Sequence, residues 1–191
     1  MKNKFEKRSY NFEVRADENE SIITGRPILY NSRTELNLFD EIIDSGALNK
    51  SDLSDVRFLV NHDTRKIPLA RSRQNDNSST MNLIVDEKGL SISVKLDTEN
   101  NSDARALYSA VKRGDISGMS FMFSINGVKW ENLSSDRPVR HITDIGKVVE
   151  VSAVTFPAYE ETEINARNRE ILEIARNSDE LNLLKAKIML F

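Results

Sequence analysis

The chain has 191 residues, with 27 Lys and Arg against 30 Asp and Glu, a formal charge of −3 and no cysteine. That length fits one domain of ordinary size with room for a small appendage. The near-balanced charge is against a dedicated nucleic-acid binder, and the lack of cysteine removes disulfides, thiolate nucleophiles and zinc–thiolate sites together. The first twenty residues, MKNKFEKRSYNFEVRADENE, are charged and lack the apolar core of a secretory signal. Strand character appears at 11–15 (NFEVR) and at 21–30 (SIITGRPILY), both rich in β-branched and aromatic residues. Residues 39–50 (FDEIIDSGALNK) have room for one or two helical turns. VRFLV at 56–60 is a short apolar run that ends at Asn61-His62-Asp63, and the polar stretch 71–80 reads as an exposed loop. TMNLIV (80–85) and LSISVKL (90–96) flank Asp86-Glu87-Lys88-Gly89, which predicts a hairpin with Gly89 at positive φ.

Asn101, Ser102 and Asp103 offer N-caps for a helix over roughly 103–113. Leu107, Tyr108 and Val111 form its apolar stripe, and Gly114 stands at its C-terminal stop. Two more strands are expected at 120–125 (SFMFSI) and 148–156 (VVEVSAVTF), separated by an exposed loop at 131–137 and closed by Pro157. From about Thr162 the composition turns to helix formers. Ile171, Leu172, Ile174, Ala175, Leu181, Leu184 and Ile188 recur near a 3.6 period, predicting one or two amphipathic helices. The division expected is a body over 1–163 and a helical tail over 164–191. No run approaches 18 apolar residues, so no membrane span is expected.

Three positions carry candidate chemistry. His62 lies where the chain leaves the VRFLV strand. It can serve as a general base near neutrality, or simply cap a strand end. Ser120 follows Gly118 at the start of an apolar strand. Alternation puts Phe121, Phe123 and Ile125 on one face and Ser120 with Met122 on the other. This is no Gly-x-Ser-x-Gly elbow, which argues against an α/β-hydrolase; the bland reading is a serine flanking a turn. Glu150 is a carboxylate in an apolar strand, costly to bury without a partner, for which a histidine N–H is suited; an edge position with its head in water is the alternative. His62, Ser120 and Glu150 are separated by 58 and 30 residues, enough to bring three strands together. The two histidines show no HExxH-type spacing, and without cysteine they make a poor metal-ligand set.

At these residues the chain resembles the prohead proteases of tailed bacteriophages, the capsid-maturation serine proteases related to herpesvirus assemblins. The similarity spans roughly residues 8–160. It includes Gly25-Arg26-Pro27-Ile28-Leu29-Tyr30-Asn31 with Phe39-Asp40-Glu41-Ile42-Ile43 and Ser45-Gly46-Ala47-Leu48. Leu59-Val60-Asn61-His62-Asp63, then Arg113 to Phe121 (RGDISGMSF), then Glu150 to Tyr159 (EVSAVTFPAY) follow in the family's order. The resemblance implies His62 as base, Ser120 as nucleophile and Glu150 as the acidic third member. His141 is weighed because assemblins use a second histidine there, but it lies in the charged run 137–144, where a solvated ring is the ordinary reading.

The fold implied is mostly β (α+β), an assemblin-like closed or partly closed β-barrel with surrounding helices and a C-terminal helical tail. The activity implied is a serine endopeptidase that cuts the scaffolding segment from the major capsid protein, and then itself, inside the assembling procapsid in the host cytoplasm. No cofactor, nucleic acid or membrane partner is implied; self-association is. The alternative is a catalytically silent assembly module on the same barrel. Backbone N–H groups are the default oxyanion donors; Arg65 and Arg140 are weighed as helpers there, with ordinary surface cations as the preferred reading. The stretch 162–169 reads as an exposed linker suited to self-cleavage, and the stripe from about Ala166 is expected to dock on the body, on another copy or on scaffold.

Overall fold

In the computed structural model, residues 5–10, 14–17, 20–156 and 161–188 are described, without the side chains of 10, 161–167, 183, 184 and 186–188. In chain order the elements are β1 (Phe5–Tyr10), β2 (Arg15–Ala16), β3 (Ile22–Leu29), β4 (Arg33–Glu35), β5 (Asp40–Ile43), β6 (Val56–Val60), β7 (Ala70–Ser72), β8 (Met81–Asp86) and β9 (Gly89–Lys95). Then come α1 (Ser102–Arg113), β10 (Gly118–Glu131), β11 (Val139–Val154) and α2 (Glu161–Ile188). Among the described residues the protein is mostly β with two helices.

The organising unit is the long antiparallel pair β10–β11, bulged between Met122 and Phe123 and again around Ile125–Gly127. One end of β11 receives β5 in parallel and the other receives β6 in parallel. With β1 on β10, β4 on β5 and β7 on β6, these make one seven-stranded sheet. A second sheet has the order β2-β3-β9-β8. One apolar core joins both sheets and α1: Ile23, Ile28 and Leu90 from the second sheet meet Phe58, Phe121 and Phe123 from the first. Phe121 and Phe123 stack with ring centroids 4.8 Å apart, on the inward face that alternation predicts.

The first sheet also coils. A flat sheet would hold Arg8 and Glu41 about 14 Å apart across three strand spacings and, nine residues apart along β10 (Phe121 to Trp130), up to about 30 Å apart along the strands. Yet Arg8 of β1 donates from Nε to Glu41 of β5 at 2.5 Å, and Arg140 of β11 bonds both Glu6 and Glu41 at 3.0–3.1 Å. The four side chains form a buried, charge-balanced cluster. Removing one member of such a cluster leaves an uncompensated charge and typically costs about 3–5 kcal/mol. No strand pairing among the described residues closes either sheet into a barrel.

Local chemistry explains the elements. The predicted hairpin is β8–β9, with Gly89 at φ +132°. A Cβ there would sit 2.1 Å from the Ile28 carbonyl oxygen, so only glycine fits. The Asn101 side chain accepts from the Asp103 and Ala104 amides to start α1, and Gly114 ends it at φ +80°. Ala104, Leu107 and Val111 are its buried residues, and Tyr108 donates its hydroxyl to the Asp17 carbonyl.

Several expectations are corrected. Within 39–50, the residues expected to be helical include strand β5, because Asp40–Ile43 pairs in parallel with Val139–Ile142. Only isolated turns follow, with Ala47 and Asn49 amides bonding back three residues. The supposed loop at 71–80 starts as strand: Arg71 sits in β7, opposite Arg57, and clamps Asp55 at 2.6 and 2.8 Å. The strand expected at 120–125 continues to Glu131, and the one expected to start at 148 starts at Val139. The supposed linker at 162–169 is backbone-helical, part of α2. The run 11–15 is described only from 14 onward, and Pro157 lies outside the described residues. On α2, Leu172 is buried, and Ile171, Ile174 and Ala175 face a cleft against Val128, Trp130 and Leu133. Arg176 donates to the Leu133 and Ser135 carbonyls, so this part of the stripe docks on the β10–β11 hairpin.

Acid stability follows from Asp40. Its burial alone would raise its carboxyl, but hydrogen bonds from Arg137 and Arg33 at 2.7 and 2.6 Å outweigh this and hold it below the usual range. Asp86 is held at about 2 chiefly by Arg26. A depressed carboxyl stabilises the fold above the unfolded value of about 3.9, and that contribution is lost as pH falls through the folded value. The urea midpoint should therefore drop below about pH 4. Asp40→Asn should lower the midpoint at pH 7 and flatten the acid limb; an unchanged limb would remove Asp40 from this role.

Candidate active site

The C-terminal half of β11 is the floor of the site, flanked on both sides. Ser120 of β10 lies opposite Ser152, and Leu59 of β6 lies beside Ser152 from the other edge. Immediately beyond β6, the chain turns sharply. Asn61 and His62 both take left-handed backbone, at φ +50° and +57°. Consecutive left-handed residues without glycine are strained, and such strain persists where surrounding contacts over-determine it. The contacts are present. The Asn61 amide donates to the Ala153 carbonyl at 2.9 Å, and the Asn61 side chain accepts from the Thr155 amide at 2.9 Å. The turn is thereby pinned to the end of β11, and the imidazole swings back over the sheet.

There His62 bridges the two other candidates. Its Nε2 is 2.6 Å from Ser120 Oγ, and its Nδ1 is hydrogen-bonded to Glu150 Oε1. The Glu150 carboxylate is buried and has a second partner, the Ser152 hydroxyl, which donates to Oε2 at 2.6 Å. The Ser152 oxygen in turn accepts from the His62 amide at 3.1 Å. This ring of bonds fixes both ends of the pair. With the carboxylate at Nδ1, the proton sits on Nδ1 and Nε2 is free to accept from Ser120. Ser120 Oγ has a further neighbour, the Arg8 carbonyl at 2.8 Å. A nucleophile, a base within 3 Å of it and an acid orienting that base are the parts required for acyl transfer.

A model of the caudovirus prohead serine protease family matches residues 10–177. The chain belongs to that family. Membership makes it a serine peptidase of phage capsid maturation, a procapsid-stage enzyme within the host. No curated protein and no solved structure matches it. No described helix is long and apolar enough to cross a membrane. Among the described residues, no group of three or more His, Cys, Asp or Glu could hold a metal ion.

His62, Ser120 and Glu150 thus converge, and His141 does not join them. It lies opposite Lys129, nine residues along β10 from Ser120, up to about 30 Å of strand. Its ring nitrogens meet Asp44 at 2.7 Å and Glu131 at 3.2 Å. The run 137–144 is not a solvated stretch: Val139, Arg140 and Ile142 are buried in β11. Arg140 is accordingly no surface cation. It is spent on Glu6 and Glu41, whereas Arg65 is exposed and paired with Asp63.

The residues that sequence reasoning passes over are Asn61, Ser152 and the Arg8 carbonyl. Ser152 had a signal: two residues after Glu150 on one strand puts it on the same face. Ser152→Ala would leave the His62 amide and Glu150 Oε2 each short of a partner, a loss worth about 1–3 kcal/mol where the group stays buried. Peptide hydrolysis should slow by about 5- to 100-fold if that loss falls on the transition state. Ser152→Thr should restore most of it; full activity in the alanine variant would dismiss the positioning role.

Proposed function

We propose that the chain hydrolyses peptide bonds with Ser120 as nucleophile, His62 as general base and acid, and Glu150 as the group that orients His62. The observation that carries this reading is the single imidazole within hydrogen-bond reach of both the hydroxyl and the buried carboxylate, in a member of a serine protease family. His62 Nε2 takes the Ser120 proton as Oγ bonds to the scissile carbonyl carbon. Glu150 stabilises the imidazolium that forms. His62 then passes the proton to the leaving nitrogen as the C–N bond breaks. Water repeats the sequence on the acyl-enzyme, giving back the free hydroxyl and releasing the new carboxyl terminus.

The substrates in this reading are the scaffolding segment of the major capsid protein and the protease itself, inside the procapsid. Residues 1–163 form the protease domain and 164–191 a helical tail. The coiled first sheet is the counterpart of the assemblin barrel. Co-expression with a phage capsid precursor tests the assignment. The precursor should shorten by its scaffolding segment, and the purified protease should shorten with time, both by intact mass. A precursor that stays whole beside a folded protease would favour the silent assembly module instead.

A further inference from the structure

Ser120 is fully buried, although it lies on the face of β10 opposite Phe121 and Phe123. Strand β1 lies alongside it. Among the described residues β1 is an edge strand that pairs with β10 alone, antiparallel, with Ser9 opposite Ser120 and Arg8 opposite Phe121. A peptide that adds a strand to a sheet edge is held by its main chain and read through alternate side chains. β1 is held in both ways. Its backbone runs in register with β10 from Phe5 to Tyr10. Its alternate residues Glu6 and Arg8 are buried against a pair supplied by other strands, Glu41 of β5 and Arg140 of β11, which are themselves 3.1 Å apart. Arg8 makes the fork to Glu41 at 2.5 and 2.8 Å, and Glu6 bonds Arg140 at 3.0 and 3.1 Å. Arg140 Nε is buried with no hydrogen-bond partner, a donor this occupant does not use.

The occupied state is not a productive one. Ser120 has one hydroxyl proton, and the Arg8 carbonyl oxygen at 2.8 Å competes for it with His62 Nε2 at 2.6 Å. Attack requires that proton to pass to His62 and a carbonyl carbon, not its oxygen, to lie before Oγ. The family match begins at residue 10, so β1 lies outside it except for Tyr10.

We propose that the edge of β10 beside Ser120 is the peptide-binding site, that it takes an extended strand with an acidic and a basic side chain two residues apart, and that β1 is its resident occupant, which substrate must displace. This rests on Ser120 being the nucleophile of the proposed hydrolysis. Glu41 selects the basic side chain and Arg140 the acidic one, in the order Glu6 and Arg8 display. Activity is withheld until β1 leaves.

The chain has no cysteine, so a disulfide can lock β1 cleanly. Phe5 and Ser124 are cross-strand partners, a spacing within disulfide reach. The full chain with Phe5→Cys and Ser124→Cys is compared oxidised and reduced, beside an Arg8→Glu chain whose β1 is repelled by Glu41. The probes are a fluorescein-labelled peptide of residues 3–14, for binding, and labelled casein, for hydrolysis. The peptide should bind the Arg8→Glu chain at least about tenfold more tightly than the oxidised chain, the effect expected of one buried charged anchor. Oxidation should abolish casein hydrolysis and reduction restore it. Casein cut equally by locked and reduced chains overturns the proposal while leaving the hydrolase in place. Peptide bound equally by all forms, or by none, also overturns it. Binding that follows the lock with no hydrolysis in any form upholds the strand site and removes the hydrolase reading instead.

Discussion

Ser120→Ala should end peptide-bond hydrolysis, with kcat lowered by roughly 10⁶-fold, the scale typical of losing a serine nucleophile. The hydroxyl lies 2.6 Å from His62 Nε2 and can bond covalently to a carbonyl carbon. Deleting it leaves the imidazole nothing to deprotonate but water. The fold should survive. Ser120 is buried among strands, and its loss leaves the Arg8 carbonyl and His62 Nε2 each without that partner, a cost of about 1–3 kcal/mol against an undisturbed core. A melting curve and an intact-mass time course on the same sample separate the two effects. The variant should melt a few degrees lower, stay at full length and leave a capsid precursor uncut. Continued cutting by Ser120→Ala would transfer the nucleophile elsewhere in the chain.

Much of this architecture is legible in the sequence, and what is not has physical causes. The β8–β9 hairpin and α1 are written in local chemistry: a Gly that must take positive φ, an Asn whose oxygen caps two amides, an αL glycine as stop. Strands β5, β7 and β1 are not. Asp40–Ile43 and Phe5–Tyr10 carry charge and little alternation, and they become strands because long-range partners, β11 and β10, supply the ladder. Tertiary pairing outweighs weak local preference there. The same holds for Glu6 and Arg8, which look like solvated charge in FEKRSY and are buried because Glu41 and Arg140 arrive from distant strands. At the site, residue types and spacing single out His62, Ser120 and Glu150 as candidates, and family resemblance supplies their roles. Their convergence depends on β6 and β10 flanking one half of β11, a topology that no local pattern encodes. His141 shows the converse. It lies 21 residues after Ser120 in the chain, yet the long hairpin carries it to the far end of the strand pair.

Glu150→Gln should slow turnover by about 10⁴-fold, comparable to neutralising the acid of a serine protease triad. The substitution keeps shape and burial but removes the charge that stabilises the imidazolium. It also places an amide where Ser152 and His62 now meet two carboxylate oxygens. If the amide nitrogen turns to Nδ1, that nitrogen becomes the acceptor, the ring proton moves to Nε2, and the base faces Ser120 already protonated. His141→Ala, by contrast, should change turnover by less than about twofold, because the contacts it loses are part-exposed pairs with Asp44 and Glu131, worth about 0–1 kcal/mol. Measuring kcat/KM for both variants across pH 5–9 decides between the two candidates for the third role. A large loss with His141→Ala and a small one with Glu150→Gln would assign it to the histidine. The expected ranking follows from the placement of charge: Glu150 is the carboxylate bonded to His62, while His141 has two carboxylates of its own.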